Sequence, residues 1–247
     1  MTTWVLLRGL MRESRHWGDF PARFQQAVSA DRLLCLDFPG NGELHAQASL
    51  TTVEAMANYC HQQLQTQAIR EPVQVLAVSL GAMVALAWAN QYPDDLQRMV
   101  LINTSVAPHN PIYHRLRPGN YPALIATMLF GSRRQREQLI LRITSNLHTK
   151  EQGKEIVARW IAYAQENPIS VGNILRQLLA AMRFRAPPYT GKVPLLLLAG
   201  EHDHLVNVAC SHRLAEQWHS PLHLHPTAGH DLPLDDAAWV IQQVLAW

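Results

Sequence analysis

Three residues far apart in the chain, Ser79, Asp203 and His230, are of the types that together turn a hydroxyl into a nucleophile. A serine hydroxyl is weakly reactive at neutral pH, so it needs a base within hydrogen-bond reach and an acid to orient that base. Ser79 lies in Val75-Leu76-Ala77-Val78-Ser79-Leu80-Gly81-Ala82, where an apolar, strand-like run ends and an alanine-rich helical run begins at once. Such a junction demands a sharp turn with the hydroxyl at its apex. It also sets the next backbone N–H, that of Leu80, at a helix N-terminus, where negative charge is stabilised. The same pentad equally fits a buried strand followed by a helix that serine merely caps.

The acid and base candidates both follow strand-like runs. Asp203 falls in Ala199-Gly200-Glu201-His202-Asp203-His204, and His230 in Pro226-Thr227-Ala228-Gly229-His230-Asp231. Glu201 shares the loop with Asp203 and is the serious alternative acid. Asp231 adjoins His230 and is poorly placed to reach back to its ring, while Asp235 and Asp236 read as first-turn acids of the last helix. His202, His204, His223 and His225 form two close pairs, but neither has the i, i+4 spacing of a zincin helix, and no metal site is expected.

The elements that must position these groups alternate. Strand-like runs occur at 5–7, 33–38, 73–78, 99–103, 195–199 and 222–224, and helix-like stretches separate the first four. That alternation predicts an α/β architecture: a mostly parallel sheet of about six strands with helices on both faces. After the second strand, Thr51-Thr52-Val53-Glu54 predicts a capping box, with Val53, Met56, Ala57, Cys60 and Leu64 on the buried face of the helix.

Beyond Asn103 the pattern becomes purely helical, with stripes at Leu124/Ile125/Met128/Leu129, at Ile156/Val157/Trp160/Ile161/Ala164 and at Ile174/Leu175/Leu178/Leu179/Met182. Pro187-Pro188-Tyr189-Thr190-Gly191 closes this stretch. The expected organisation is therefore a core of residues 1–106 and 191–247 with a helical lid at 107–190, whose two ends emerge beside the strand ends that hold the site.

Among 247 residues, 48% are hydrophobic and 16% charged, which argues against disorder, and no apolar run is long enough to span a bilayer. A net charge of +2 argues against a general nucleic-acid binder. The charge is uneven: residues 107–190 carry twelve Arg and Lys against four acids, a balance of +8, leaving −6 elsewhere. The N-terminus has no basic leader ahead of its apolar stretch, and Cys35, Cys60 and Cys210 do not suggest a disulfide framework. Both point to the cytoplasm. No nucleotide-binding fingerprint occurs, so no cofactor is expected.

The order Ser79, Asp203, His230 resembles the α/β-hydrolase superfamily. Leu7-Arg8-Gly9-Leu10, Asp37-Phe38-Pro39-Gly40-Asn41-Gly42, the Ser79 elbow, Gly200-Glu201-His202-Asp203 and Gly229-His230 match its segments along nearly the whole chain. The resemblance implies that Ser79 attacks an acyl carbonyl, that His230 takes and returns its proton, and that Asp203 fixes the imidazole. The N–H groups of Leu10 and Leu80 would hold the oxyanion. The chain is similar to carboxylesterases and to the pimeloyl-[acyl-carrier protein] methyl ester esterases of biotin synthesis, and also to a menaquinone-pathway lyase. Hydrolysis of a small-molecule ester or thioester is thus expected, with a Ser-His-Asp lyase or C–C bond hydrolase as the alternative and a non-enzymatic binding protein as a third reading. The basic lid would suit an acidic acyl carrier protein or serve only as a solvated face. Ser79 excludes the dehalogenase and epoxide-hydrolase chemistries of this fold, which need a carboxylate nucleophile.

Arg8 stands where the family often has histidine. It either braces the oxyanion turn, with Glu13 as a partner, or reaches toward an anionic substrate. Trp17 either lines the pocket mouth or anchors the core. Met128 and Trp160, on the inner lid stripes, are candidate substrate contacts.

Overall fold

The computed structural model describes residues 2–247. Six strands alternate with helices in the order β1 (Thr3–Leu7), α1 (Phe20–Ala27), β2 (Arg32–Leu36), α2 (Val53–Thr66), β3 (Val73–Val78), α3 (Leu80–Gln91) and β4 (Leu96–Ile102). Five helices follow without a strand: α4 (Ile112–Arg115), α5 (Tyr121–Phe130), α6 (Arg133–Thr144), α7 (Lys150–Glu166) and α8 (Val171–Arg183). The sheet then resumes with β5 (Leu195–Gly200), α9 (Ala209–Trp218), β6 (Leu222–His225), α10 (Leu232–Asp235) and α11 (Ala237–Ala246). All strand pairs are parallel, in the order β2-β1-β3-β4-β5-β6. This is the α/β-hydrolase fold.

A parallel sheet covered on both faces needs strands that are apolar at every position. β1, β3 and β5 are buried throughout. Alternate residues point to opposite layers. Val5, Leu7, Val75, Ala77, Met99, Leu101, Leu195 and Leu197 pack with residues of α2, α3 and α9, whereas Trp4, Leu6, Leu76, Val78, Val100, Ile102, Leu196 and Leu198 pack with residues of α1 and α11. α3, sandwiched at the centre, is buried around its whole circumference from Leu80 to Trp88.

The buried face of α2 is the one expected. Its cap is simpler: Thr52 accepts from the Ala55 N–H, but the residue that would return the bond is Ala55 itself, so Glu54 takes no part and no capping box forms. Cys35, Cys60 and Cys210 are free, and burial raises each thiol, Cys35 and Cys210 to about 12. Among the described residues, no helix is long and apolar enough to cross a membrane.

The helical stretch leaves and rejoins the sheet at one place. Ala107 bridges Arg185, and the Ala186 N–H donates to the Ala107 carbonyl at 2.7 Å. Two of its three stripes depart from expectation. On α5 no residue is buried, and Ile125 and Leu129 are exposed. On α8 the buried face is Asn173, Ile174, Gln177 and Ala180, while Leu175 and Met182 face solvent. Only the α7 stripe holds, with Ile156, Val157 and Trp160 packed on Leu141 of α6.

Candidate active site

The turn from β3 into α3 puts Ser79 at φ 55°, ψ −111°, a strained backbone region that a non-glycine residue occupies only when its surroundings impose it. Those surroundings are explicit. The Ser79 N–H donates to the Ile102 carbonyl at 2.9 Å, Thr104 Oγ1 donates to the Ser79 carbonyl at 3.2 Å, and the Ala82 and Met83 N–H groups also converge on that carbonyl. Gly81 lets α3 start against β1: a Cβ there would stand 2.6 Å from the Leu7 carbonyl and 2.7 Å from that of Arg8. Ala77 is fully buried between Leu7 and Leu101 and does not disturb the turn.

Asp203 is 2% exposed, and its two oxygens have separate tasks. Oδ1 accepts the N–H groups of Leu205 (2.7 Å) and Val206 (2.9 Å), which lock the carboxylate in place. Oδ2 accepts from His230 Nδ1 at 2.6 Å. A carboxylate can only accept, so the proton resides on Nδ1 and the Nε2 lone pair is left to act as base. Glu201 is exposed on the same loop and has no such role.

Asn103, at the end of β4, draws these loops together. Its Nδ2 donates to the carbonyls of Gly229 (3.0 Å) and His230 (2.7 Å), and its Oδ1 accepts from the Gly200 N–H (3.0 Å) at the end of β5. Since the neighbouring residues 102 and 104 hold Ser79, one strand end fixes all three loops. Among the described residues, Ser79 Oγ makes no hydrogen bond to the imidazole; such bonds are often long in a resting enzyme and tighten around substrate.

Residues 9–12 form a turn closed by the Arg12 N–H on the Gly9 carbonyl, and this turn lies against the serine. A Cβ on Gly9 would come within 3.3 Å of Ser79 Cβ. Among the described residues, the Leu10 N–H and the Leu80 N–H, the latter at the first position of α3, donate to no protein group. Both remain available to a developing anion.

Arg8 is neither paired with Glu13 nor aimed at a substrate. It is 4% exposed and forms a bidentate pair with Asp231, at 3.0 and 2.5 Å, while its guanidinium lies 4.6 Å from the Trp17 ring centre. Glu13 binds Arg15 instead. Asp231 therefore does not compete for the imidazole; it clamps the segment after His230 to the segment before Gly9. Burial alone would raise its carboxyl, but the charge and hydrogen bonds of Arg8 outweigh that and hold it below the usual range.

Trp17 belongs to the core rather than the pocket mouth, buried with Phe20 stacked on it. Trp160 is buried too, its ring 4.2 Å beneath the Arg12 guanidinium, which pairs with Glu137. It seats α7 on the 12–16 turn and does not line the site. Met128 is half-buried on α5, which packs on α6.

Asp236 caps α11 as expected. Asp235 instead gathers the N–H groups of Asn146, Leu147 and Gly229, fastening the α6–α7 loop to the histidine loop. His225 binds Asp236 and the N–H groups of Thr227 and Ala228, whereas His202 and His204 are exposed; among the described residues no group of His, Cys, Asp or Glu is arranged to hold a metal. A cleft of about 620 Å³ between α6 and α7, lined by Arg134, Arg142, Lys150 and Lys154, includes none of Ser79, Asp203 or His230.

Sequence alone had not singled out Asn103, Gln177 or the Arg8–Asp231 pairing. Asn103 carries one legible sign, since asparagine tolerates the left-handed φ of 48° found there.

No curated protein matches the sequence significantly. Among solved structures, the chain resembles an enol-lactonase from Burkholderia xenovorans LB400 (18% identity, 99% of this chain and 90% of that one, TM-score 0.80). It also resembles a thermophilic esterase from Thermogutta terrifontis (19%, 100% and 91%, 0.76). A third is 2-hydroxy-6-oxo-6-phenylhexa-2,4-dienoate hydrolase from Rhodococcus sp. strain RHA1 (16%, 99% and 89%, 0.77). At these identities the likeness speaks for the fold. The model of the alpha/beta hydrolase family matches residues 4–243, nearly the full sequence, and the chain belongs to that family.

Proposed function

We propose that the protein is a serine hydrolase that cleaves a carboxylic ester or thioester through an acyl-enzyme. The observation that carries this reading is the 2.6 Å contact of His230 Nδ1 with a buried, doubly anchored Asp203, behind a serine held at a strained elbow. In the first half-reaction Ser79 Oγ bonds to the acyl carbon as His230 Nε2 takes the hydroxyl proton. The oxyanion forms against the Leu10 and Leu80 N–H groups, each worth roughly 3 kcal/mol to the transition state. The C–O or C–S bond to the leaving group then breaks, and His230 returns the proton to it. Water enters, gives a proton to His230, and bonds to the acyl carbon; the Ser79 Oγ–carbon bond then breaks as His230 returns that proton to Oγ, releasing the acid.

Residues 107–190 act as a lid over this site in the proposal, with a hydrophobic acyl group beneath. The cleft of Arg134, Arg142, Lys150 and Lys154 has no carboxylate among its lining residues and would suit an acidic acyl carrier.

The test is a panel of p-nitrophenyl esters, acyl thioesters, carrier-borne esters and a C–C cleavage substrate, with rapid acid quench and intact-mass detection. Turnover of an ester or thioester with a transient acyl mass is expected. Turnover of the C–C substrate alone, with no acyl adduct, would overturn it in favour of lyase or C–C chemistry.

A further inference from the structure

The polar side of α8 is turned inward. Gln177 is fully buried, and a primary amide placed there without partners would cost on the order of 2 kcal/mol or more. It is fully engaged. Nε2 donates to Asn41 Oδ1 (2.8 Å) and to Ser49 Oγ (3.0 Å), and Oε1 accepts the Met11 N–H at 2.9 Å. Asn41 in turn donates to the Arg12 carbonyl at 3.0 Å. One turn earlier on the helix, Asn173 accepts the Ser49 N–H (2.9 Å) and donates to the Gln47 carbonyl (2.8 Å). This network fastens α8 to the 9–12 turn and to the loop after β2.

The contact with Met11 bears on chemistry. In the turn from Gly9 to Arg12, Met11 occupies the third position with φ 62°. A positive φ there marks the turn class that glycine favours, and methionine prefers the alternative in which the peptide between the second and third residues is reversed. That peptide joins Leu10 to Met11. An acceptor on the Met11 N–H holds it in the less favoured orientation, and so steadies the turn whose preceding peptide, Gly9–Leu10, carries the Leu10 N–H.

We propose that Gln177 is a positioning residue for the oxyanion turn: by holding the Met11 N–H, the seated α8 helix sets the aim of the Leu10 N–H at the Ser79 site. The assignment rests on Ser79 being the acylated nucleophile and Leu10 an oxyanion donor. It makes the helical segment a structural part of the catalytic centre, so that withdrawing α8 would remove an oxyanion donor as well as uncover the site.

Gln177→Met keeps the volume and removes the amide. The expected result is a fall in kcat of about 10²-fold with KM within about threefold, in the range for losing one well-aimed oxyanion donor. The inhibition constant of an alkyl boronic acid, which becomes a tetrahedral anion on serine, rises by a similar factor, while fluorophosphonate still titrates one serine per chain. Gln177→Glu retains an oxygen facing Met11. It recovers most of the rate at mildly acidic pH, where a buried carboxyl is neutral and its O–H donates to Asn41, and loses it as pH rises.

Unchanged kcat, unchanged boronate affinity, or a rate that falls only in proportion to the titre of labelled serine would overturn the assignment. Should Gln177→Met fail to fold, the pH dependence of Gln177→Glu relative to the unaltered chain decides the matter, a flat ratio counting against it. An unaltered chain with no titratable serine would remove the hydrolase reading itself and this inference with it, whereas the outcomes above remove the inference alone.

Discussion

Asp203→Asn is expected to lower kcat by about 10⁴-fold while leaving KM little changed and the fold intact. The reason lies in how the carboxylate is held. Oδ1 is committed to the Leu205 and Val206 N–H groups, so the amide oxygen of asparagine must take that place. Its NH₂ is then forced toward His230 Nδ1, which must become an acceptor. The ring proton moves to Nε2, and the imidazole presents a donor to Ser79 where a base is needed. Glu201→Gln, on the same loop but exposed, is expected to retain full activity. Steady-state kinetics with one good ester checks both. A loss under about tenfold for Asp203→Asn, or a matching loss for Glu201→Gln, would reassign the acid.

The second large effect is on stability. Arg8→Met strands the Asp231 carboxylate in a buried site, and breaking a buried pair on one side typically costs about 3–5 kcal/mol. For a domain of this size the melting temperature should fall by roughly 10 °C. Replacing both partners, Arg8→Met with Asp231→Leu, should restore most of the loss, because no charge is left buried alone.

The pH dependence follows in sign. With Arg8 present the Asp231 carboxyl is depressed in the folded chain, so the pair stabilises the fold above the ordinary carboxylate range, and that contribution fades as pH drops through the depressed value. In Arg8→Met, burial meets only the weaker opposition of Arg12 and His230 and raises the carboxyl, so that variant loses stability as pH rises. The gap between the two chains should be widest at neutral pH and narrow toward pH of about 4. Thermal melts across that range check it. A constant gap would mean that Asp231 does not change its charge relationship with Arg8 on folding.

The sheet and the loops that carry Ser79, Asp203 and His230 were legible because each rests on a local signal. Strand runs buried on both faces are continuously apolar, and the three residues fall in loops at strand ends, where a serine, an aspartate and a histidine stand out. The pairing of Arg8 with Asp231, in place of the Glu13 partner suggested by sequence, was not legible because their meeting depends on a separation of 223 residues, which no spacing rule spans. The same holds for Trp17: its aromatic bulk is visible in sequence, but whether it faces pocket or core depends on Phe20 and the Arg8 stack. On α8 the hydrophobic stripe misled by phase. Leu175 and Met182 suggested one buried face, yet the helix turns Asn173 and Gln177 inward because loops from β1 and β2 offer partners for their amides. Amphipathic reading weighs apolar side chains, and it has no means to register a polar face that is fully hydrogen-bonded.

The central claim is that Ser79 becomes a nucleophile through His230. It is tested most directly by treating the folded protein with a fluorophosphonate and mapping the modified peptide by mass spectrometry. The account predicts a single adduct on Ser79, formed at a rate that collapses in His230→Ala. A folded chain that stays unlabelled, an adduct on another residue, or labelling of Ser79 that proceeds unchanged without the histidine would contradict it.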